Sequence, residues 1–411
     1  MLFGRSLVIC REGWYYLLVL AFVITGSFLR EVNLLLVLAG MMFFPLLLNL
    51  RAVVVMTRGL QVRRRLPEMV TAGDPFEVEV VLSKPWAATP WGGGGASRMV
   101  LLQDRVWPLS AQQPPASAPP LLFWRLPAGQ EVRQAYRCRL GQRGLYQLGP
   151  ARLTCGFPLG LVRSLRRDHR TDQLVVLPRP GQLTDAWARL YQEVHFGSRA
   201  SHHKHGVLEG DFHSLREWRS GDSQRRIHWR TTARRGKPVV RQYEQQRDDD
   251  LVVLVDMWHP PAATPHDLDI VEQAVAFAAT IVTDICRRGN SRLYIGVSGT
   301  DPAVHGGPAG TGLMGELLEQ LALATADPAD RLAELLAQTY DTIPSRMTVV
   351  IVSPRSLEIA DLERQAGLWE NPRRRQHSGQ IVTICADGEL DEYFLPDTFL
   401  PAPPPPPPRD R

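Results

Sequence analysis

Cysteine is scarce and scattered. Cys10, Cys138, Cys155, Cys286 and Cys385 are the five in 411 residues, and no two form a C-x-x-C pair. That spacing argues against a disulfide framework and against a zinc site, and it fits a reducing compartment best. Catalytic signatures are missing as well. The chain holds no G-x-S-x-G, no H-E-x-x-H and no G-x-x-x-x-G-K-[ST]. It therefore lacks the nucleophile elbow, the zinc-protease helix and the phosphate-cradling loop, and the expectation is a protein that is not an enzyme. No charge sign dominates: the net charge is +5, which permits anionic partners without selecting one. Hydrophobic content of 44% and charged content of 22% are ordinary for a globular chain of two or three domains.

Long apolar runs are present at one end. Residues 14–29 and 32–50 each approach the roughly 20 residues needed to cross a bilayer core. Arg30-Glu31 separates them, so they read as a helical hairpin spanning residues 1–50. Trp14, Tyr15 and Tyr16 suit the aromatic belt of a membrane interface, and Pro45 is tolerated in a membrane helix. A cleaved signal peptide is the weaker reading, because no small-residue cleavage site is evident and a second run follows at once. Arg5 and Arg11 precede the first run. Arg51, Arg58, Arg63, Arg64 and Arg65 follow the second, with no acid among them. The positive-inside rule then places both termini in the cytoplasm, with two spans in the cytoplasmic (inner) membrane. Arg58 and Arg63 to Arg65 are expected to meet anionic lipid headgroups.

Residues 51–180 read as β structure. The runs 76–82, 99–102, 132–139 and 174–177 are short, β-rich and partly alternating. Gly73-Asp74-Pro75 signals a turn, and two Pro/Gly-rich stretches, 90–97 and 110–120, read as loops. A small β-sandwich is expected. From Leu251 the pattern changes. Strand-like runs at 251–256, 292–297, 347–352 and 380–385 alternate with helical periods at 267–288, 313–324, 328–340 and 357–366. Such alternation implies a doubly wound α/β sheet over 251–395 with mostly parallel strands. The glycines at 306–312 read as a flexible loop. Residues 396–411, ending APPPPPPRDR, read as a disordered, polyproline-prone tail.

The segment 181–250 joins these parts, and its second half is the most distinctive stretch of the chain. From Gly210 to Arg247 ten basic residues face four acids, a local +6 that exceeds the charge of the whole chain. The pattern Gly210-Asp211-Phe212, Leu215-Arg216, Trp218, Gly221-Asp222, Arg226-Ile227-His228-Trp229, Thr232-Ala233-Arg234 resembles the bacterial domain-of-unknown-function 58 family. Asp211 and His228 depart from that family's usual residues. The glycines and prolines of GQRGLY, Gly149-Pro150 and Phe157-Pro158 are similar to its β region, and equally serve as turn formers. The resemblance implies a membrane-anchored protein whose α/β part is a von Willebrand factor A-like domain. It also implies partnership with a MoxR-type AAA+ ATPase and other membrane proteins, in assembly, maturation or cell-envelope processes.

Two roles are open for the motif. As a docking surface it would use Arg216, Trp218, Gly221, Asp222, Arg226, Trp229 and Arg234, because guanidinium groups bind carboxylates and phosphates and stack on aromatic rings. As a connector it would pair Asp222 with Arg226 and Asp211 with Arg216, over packed rings. Leu215, Ile227 and Trp229 are expected to pack. Nucleic-acid binding is disfavoured: the charge is local and no binding fold is recognisable. Ligands of an open α/β sheet gather beyond the carboxyl ends of its strands, where Asp256 is expected. Von Willebrand-type domains often hold a divalent cation there through D-x-S-x-S. This chain reads Asp256-Met257-Trp258-His259-Pro260, and one carboxylate without the hydroxyls is a poor magnesium site. No cofactor is expected. A metal-dependent ligand binder or enzyme at Asp256 is the first alternative, and an anionic-lipid or nucleic-acid binder through the arginines is the second. His202, His203, His205 and His213 lack zinc spacing and read as a solvated loop.

Overall fold

The computed structural model describes residues 5–30, 33–86, 96–109, 116–202, 212–219, 227–243, 250–289, 291–343, 347–371, 374 and 380–397. The chain divides into two compact units, Met1–Leu177 with Phe399–Arg411, and Pro178–Thr398. The tail at 402–411 lies outside the described residues.

The first unit opens on strand β1 (Arg5–Ile9) and helices α1 (Arg11–Arg30) and α2 (Asn33–Thr57). Both helices are long and apolar enough to span a membrane. Their large side chains face outward, Phe22, Phe28 and Leu29 among them, which is stable only where lipid or protein covers them. Twelve strands follow: β2 (Gln61–Arg65), β3 (Val70–Thr71), β4 (Pro75–Ser83), β5 (Ser97–Gln103), β6 (Arg105–Pro108), β7 (Ala116–Ser117), β8 (Leu121–Leu126), β9 (Glu131–Arg139), β10 (Gly144–Leu148), β11 (Ala151–Cys155), β12 (Val162–Asp168) and β13 (Asp172–Leu177). They form three sheets, β1-β12-β11-β5-β8, β3-β13-β10-β6-β7 and β2-β4-β9. Alternation makes the core: Phe76, Val78, Val80 and Leu82 of β4 turn inward while Glu77 turns out. They meet Val100, Phe123 and Leu153 of the first sheet and Val106, Leu148 and Val176 of the second. Gly149 is needed for its backbone, at φ 104° with the Arg170 carbonyl 2.6 Å from where a Cβ would lie.

The end of α2 is fastened to this unit. Lys84 Nζ donates to the Val55 carbonyl at 3.2 Å, Ser97 Oγ to that of Met56 at 2.6 Å, and Arg166 Nη1 to that of Thr57 at 3.2 Å. The Thr57 and Ser164 hydroxyls are 2.8 Å apart. These donors satisfy carbonyls that a helix end leaves open, and two of them are cationic, as the helix dipole prefers. Arg64 corrects a sequence expectation. Successive side chains in β2 point to opposite faces, so Arg64 turns inward between Arg63 and Arg65. Its side chain is wholly buried, 2.6 Å from Asp104 and 2.9 Å from Asp172, and is out of reach of lipid headgroups.

The second unit contains β14 (Gln182–Leu183), α3 (Asp185–His202), β15 (Phe212–Glu217), α4 (Trp229–Arg235), β16 (Val239–Tyr243), β17 (Leu251–Val255), α5 (Pro265–Arg288), β18 (Arg292–Val297), β19 (Ala303–Pro308), α6 (Thr311–Leu323), α7 (Leu332–Thr342), β20 (Thr348–Ser353), α8 (Ile359–Gln365), β21 (Ile381–Cys385), α9 (Leu390–Tyr393) and β22 (Phe394–Leu395). The main sheet runs β19-β18-β17-β20-β21, and all pairings are parallel except that of edge strand β19. Every residue of β17 and β20 is buried, as strands covered on both faces require. Helix α5 starts with a capping box between Thr264 and Asp267 and ends at Gly289. Two expectations fail here. The stretch at 306–312 is not a loop: Gly306 and Gly307 pair with Tyr294 and Leu293 inside β19, and Thr311 begins α6. Residues 185–202, read as connector, form α3, whose Trp187 packs edge-on against Phe277 with ring centres 5.2 Å apart.

Candidate functional site: the carboxyl end of the parallel sheet

Three neighbouring strands end at one place. Asp256 follows β17, Ser298 follows β18, and Ser353 closes β20. The parallel register brings them together although they are far apart in sequence. Asp256 and its two serine neighbours are all buried. Its Oδ1 accepts from Ser298 Oγ at 3.0 Å and from the Trp258 backbone N–H at 3.2 Å. Its Oδ2 accepts from Ser353 Oγ at 2.9 Å. Each serine oxygen is itself held, accepting from the Met257 and Arg355 backbone N–H groups at 2.9 and 3.2 Å.

Arg355 completes the cluster. Its Nε lies 3.5 Å from Asp256 Oδ2, an ionic contact longer than a hydrogen bond. Nη2 bonds Asp330 Oδ2 at 2.5 Å, and the guanidinium lies over the Trp258 ring, 4.5 Å from its centre. The neighbouring turns are tied in through the Asp327 backbone, which donates to the Met257 carbonyl at 3.0 Å and accepts from His259 at 3.3 Å. Burial pushes the Asp256 carboxyl above its ordinary value. The hydrogen bond from Ser353, the Arg355 charge and the bonds from Ser298 and Trp258 oppose that shift.

Asp256 thus lies where the sequence placed it. The serines and Arg355 were missed, yet they follow strands read correctly at 292–297 and 347–352, so the strand-end rule applied to all three strands would have found them. Three side chains from three strand ends, one carboxylate and two hydroxyls, with Arg355 against the same carboxylate, are the donor set a cation would meet here.

The arginine-rich motif folds as a separate piece of the second unit. β15 and β16 pair antiparallel, and Ile227 bridges to Val240. Between them α4 starts at His228, whose Nδ1 accepts from the Thr231 backbone at 3.3 Å, and stops at left-handed Gly236. Leu215 and Ile227 are half-buried, in line with a packing role. Trp229 is not: it is 69% exposed, because it occupies the first turn of a helix with no buried residue. Arg230, Arg234 and Arg235 are exposed beside it. Arg216 bonds the Glu217 carbonyl at 3.2 Å, and the Trp218 backbone bonds that of Pro238 at 2.9 Å. Gly221, Asp222 and Arg226 lie outside the described residues, as do Asp211 and the side chains of His202, His203, His205 and His213.

Residues 214–371 match the family model described as "Protein of unknown function DUF58", the family that the motif resembles. The matched region contains both α4 and the Asp256 cluster. An uncharacterized protein of Bacillus subtilis (strain 168), YeaD, is 23% identical over 202 residues, 49% of this chain and 48% of that one. The chain thus spans about half the length of this relative. Among solved structures, superoxide reductase (neelaredoxin) from Ignicoccus hospitalis aligns over 28% of this chain and 80% of its own, at 17% identity and a TM-score of 0.19. The CARDB domain of PF1109 from Pyrococcus furiosus aligns over 29% and 94%, at 16% identity and a TM-score of 0.18. Scores this low carry no fold assignment.

Proposed function

We propose, from the family match and the surface of α4, that this chain is a membrane-anchored protein-interaction module whose second unit is a von Willebrand factor A-like domain. The carrying observation is Trp229, 69% exposed on a short helix with Arg230, Arg234 and Arg235. An exposed tryptophan flanked by arginines is the composition of an interface hot spot. The apolar helices α1 and α2 support anchoring, and the arginines flanking them support cytoplasmic termini. The proposed partner is a MoxR-type AAA+ ATPase, with other membrane proteins, in assembly or envelope maturation. That choice rests on the family resemblance.

The geometry of the Asp256 cluster favours an internal brace over a catalytic or metal centre. Both serine hydroxyls and the carboxylate they donate to are buried, so neither hydroxyl is presented at the surface as a nucleophile. The charge that a divalent ion would neutralise is met by Arg355, and the donor set of one carboxylate and two hydroxyls fits a self-neutralised brace better than a metal centre. Calorimetry with magnesium, manganese and calcium tests this; heat that vanishes in Asp256→Ala would reinstate the metal reading.

Affinity purification from detergent-solubilised membranes tests the partner. The wild-type chain is expected to recover an AAA+ ATPase, and a folded Trp229→Ala, Arg234→Ala variant is expected to lose it. Equal recovery by both would move the interface elsewhere, and no ATPase with or without ATP would remove the partner.

A further inference from the structure

The sheet at the base of the hairpin has a charge pattern that the family match does not explain. Strands β1, β12, β11, β5 and β8 contain seven arginines and a single acid, Asp168. Asp168 is already engaged, accepting from the Val62 backbone at 3.1 Å and that of Arg170 at 3.4 Å. Three arginine pairs stand directly across from one another in the register, Arg5 with Arg166, Arg98 with Arg125 and Arg152 with Arg167. Arg98, Arg125 and Arg167 are exposed and Arg152 is half-buried. Among the described residues none of these last four has an ion-pair partner, and the Arg98 guanidinium lies against the Phe157 ring, 5.8 Å from its centre. Like charges directly opposed across two strands destabilise a sheet. A shared anion reverses that effect, because each guanidinium offers a planar fork of donors to a phosphate.

The same sheet grips the membrane-length helices. β1 passes through Cys10, whose N–H bonds the Leu161 carbonyl at 3.0 Å, straight into α1. Ser97 of β5 and Ser164 and Arg166 of β12 hold the last residues of α2. Exposed Val8, Ile9, Trp14, Tyr15 and Trp124 lie on or next to these strands. Arginines among exposed aromatic and aliphatic side chains, at the foot of a hydrophobic helix, are the composition of a bilayer interface.

We propose that this sheet docks on the anionic headgroups of the bilayer that the hairpin spans, with one lipid phosphate bridging Arg98 and Arg125. The inference rests on the membrane reading and adds the lipid class to it. It assigns the β unit a fixed seat on the membrane surface, separate from α4.

The test is the thermal unfolding of the full chain in nanodiscs of phosphatidylcholine, with and without phosphatidylglycerol. Anionic lipid is expected to raise the unfolding temperature of the first unit. The increment should at least halve in Arg98→Gln, Arg125→Gln and persist in Arg287→Gln, an exposed arginine of α5. Should the glutamine pair fail to fold, Arg98→Lys, Arg125→Lys keeps the charge and loses the fork, and an intermediate increment is expected. A lysine pair equal to wild type would overturn the bridged phosphate. No increment in wild type, or an equal one in the glutamine pair, would overturn the docking surface. Inorganic phosphate reproducing the increment in neutral discs would assign the site to a free anion. A chain that enters neither disc would refute the membrane reading itself, which no other outcome does.

Discussion

Replacing Arg64 by methionine should unfold the first unit locally, for a reason visible in its surroundings. The Arg64 and Asp104 side chains are both wholly buried and joined by two bonds, Nε to Oδ2 at 2.6 Å and Nη2 to Oδ1 at 2.9 Å. Burial alone would lower the pKa of Arg64; the bonds and charges of Asp104, then of Asp172, outweigh it and hold the group above its ordinary value. Without Arg64, Asp104 keeps, among the described residues, only the Tyr136 hydroxyl at 3.3 Å and the Arg105 backbone N–H at 3.1 Å. A buried charge stripped of its partner costs about 3–5 kcal/mol. Asp172 is 42% exposed, so water rehydrates it and its loss adds little. Hydrogen exchange by mass spectrometry in detergent reads this unit by itself. Amides of β2 and β6 should exchange roughly 150- to 4,000-fold faster, since each 1.4 kcal/mol is tenfold. Arg64→Met with Asp104→Leu should recover most of that loss, because apolar replacement of a buried pair is often neutral. A change in the single variant worth less than about 1 kcal/mol, the level of a solvated surface pair, would refute the buried-pair account.

Four further outcomes are expected. Thr264→Ala should lower α5 stability by about 1 kcal/mol through loss of its cap, measured by chemical denaturation. The Thr264 backbone N–H and then its hydroxyl hold Asp267 below 3.8, so the stability Asp267 adds is full at neutral pH and fades as pH falls through its folded value; the melting-temperature gap to Asp267→Asn should therefore close in acid. Asp256 shifts the other way. Burial raises its folded pKa above 3.8, so ionisation weakens the folded state as pH rises through that window, and the stability advantage over Asp256→Asn should be larger below pH 3.8 than at neutral pH. A gap that grows toward neutral pH would mean that Arg355 and the serines outweigh burial. Gly306→Val should loosen edge strand β19 by about 1–3 kcal/mol, the range for overpacking, because a Cβ there would meet the Leu293 carbonyl and, at 2.5 Å, the Tyr294 ring; unchanged exchange protection in β19 would contradict the fit.

The sequence by itself determined the elements whose signal is local. Two apolar runs gave α1 and α2, alternation gave β4 and β9, and the period of 3.6 with Thr264 and Gly289 bracketed α5. It also placed Asp256 at a strand end. Only the tertiary structure decided what faces what. Arg63, Arg64 and Arg65 are one charge run in sequence, and the pleat alone separates the middle one into the core beside Asp104, 40 residues away. Ser298 and Ser353 reach Asp256 from 42 and 97 residues away because parallel register aligns the strand ends. The glycines of β19 look like a loop until Tyr294 is seen opposite Gly306. Trp229 looks like core until its helix is found to bury nothing. Periodicity records which side of an element is apolar, whereas the identity of the neighbour on that side depends on chain reversals and registers that no local pattern encodes.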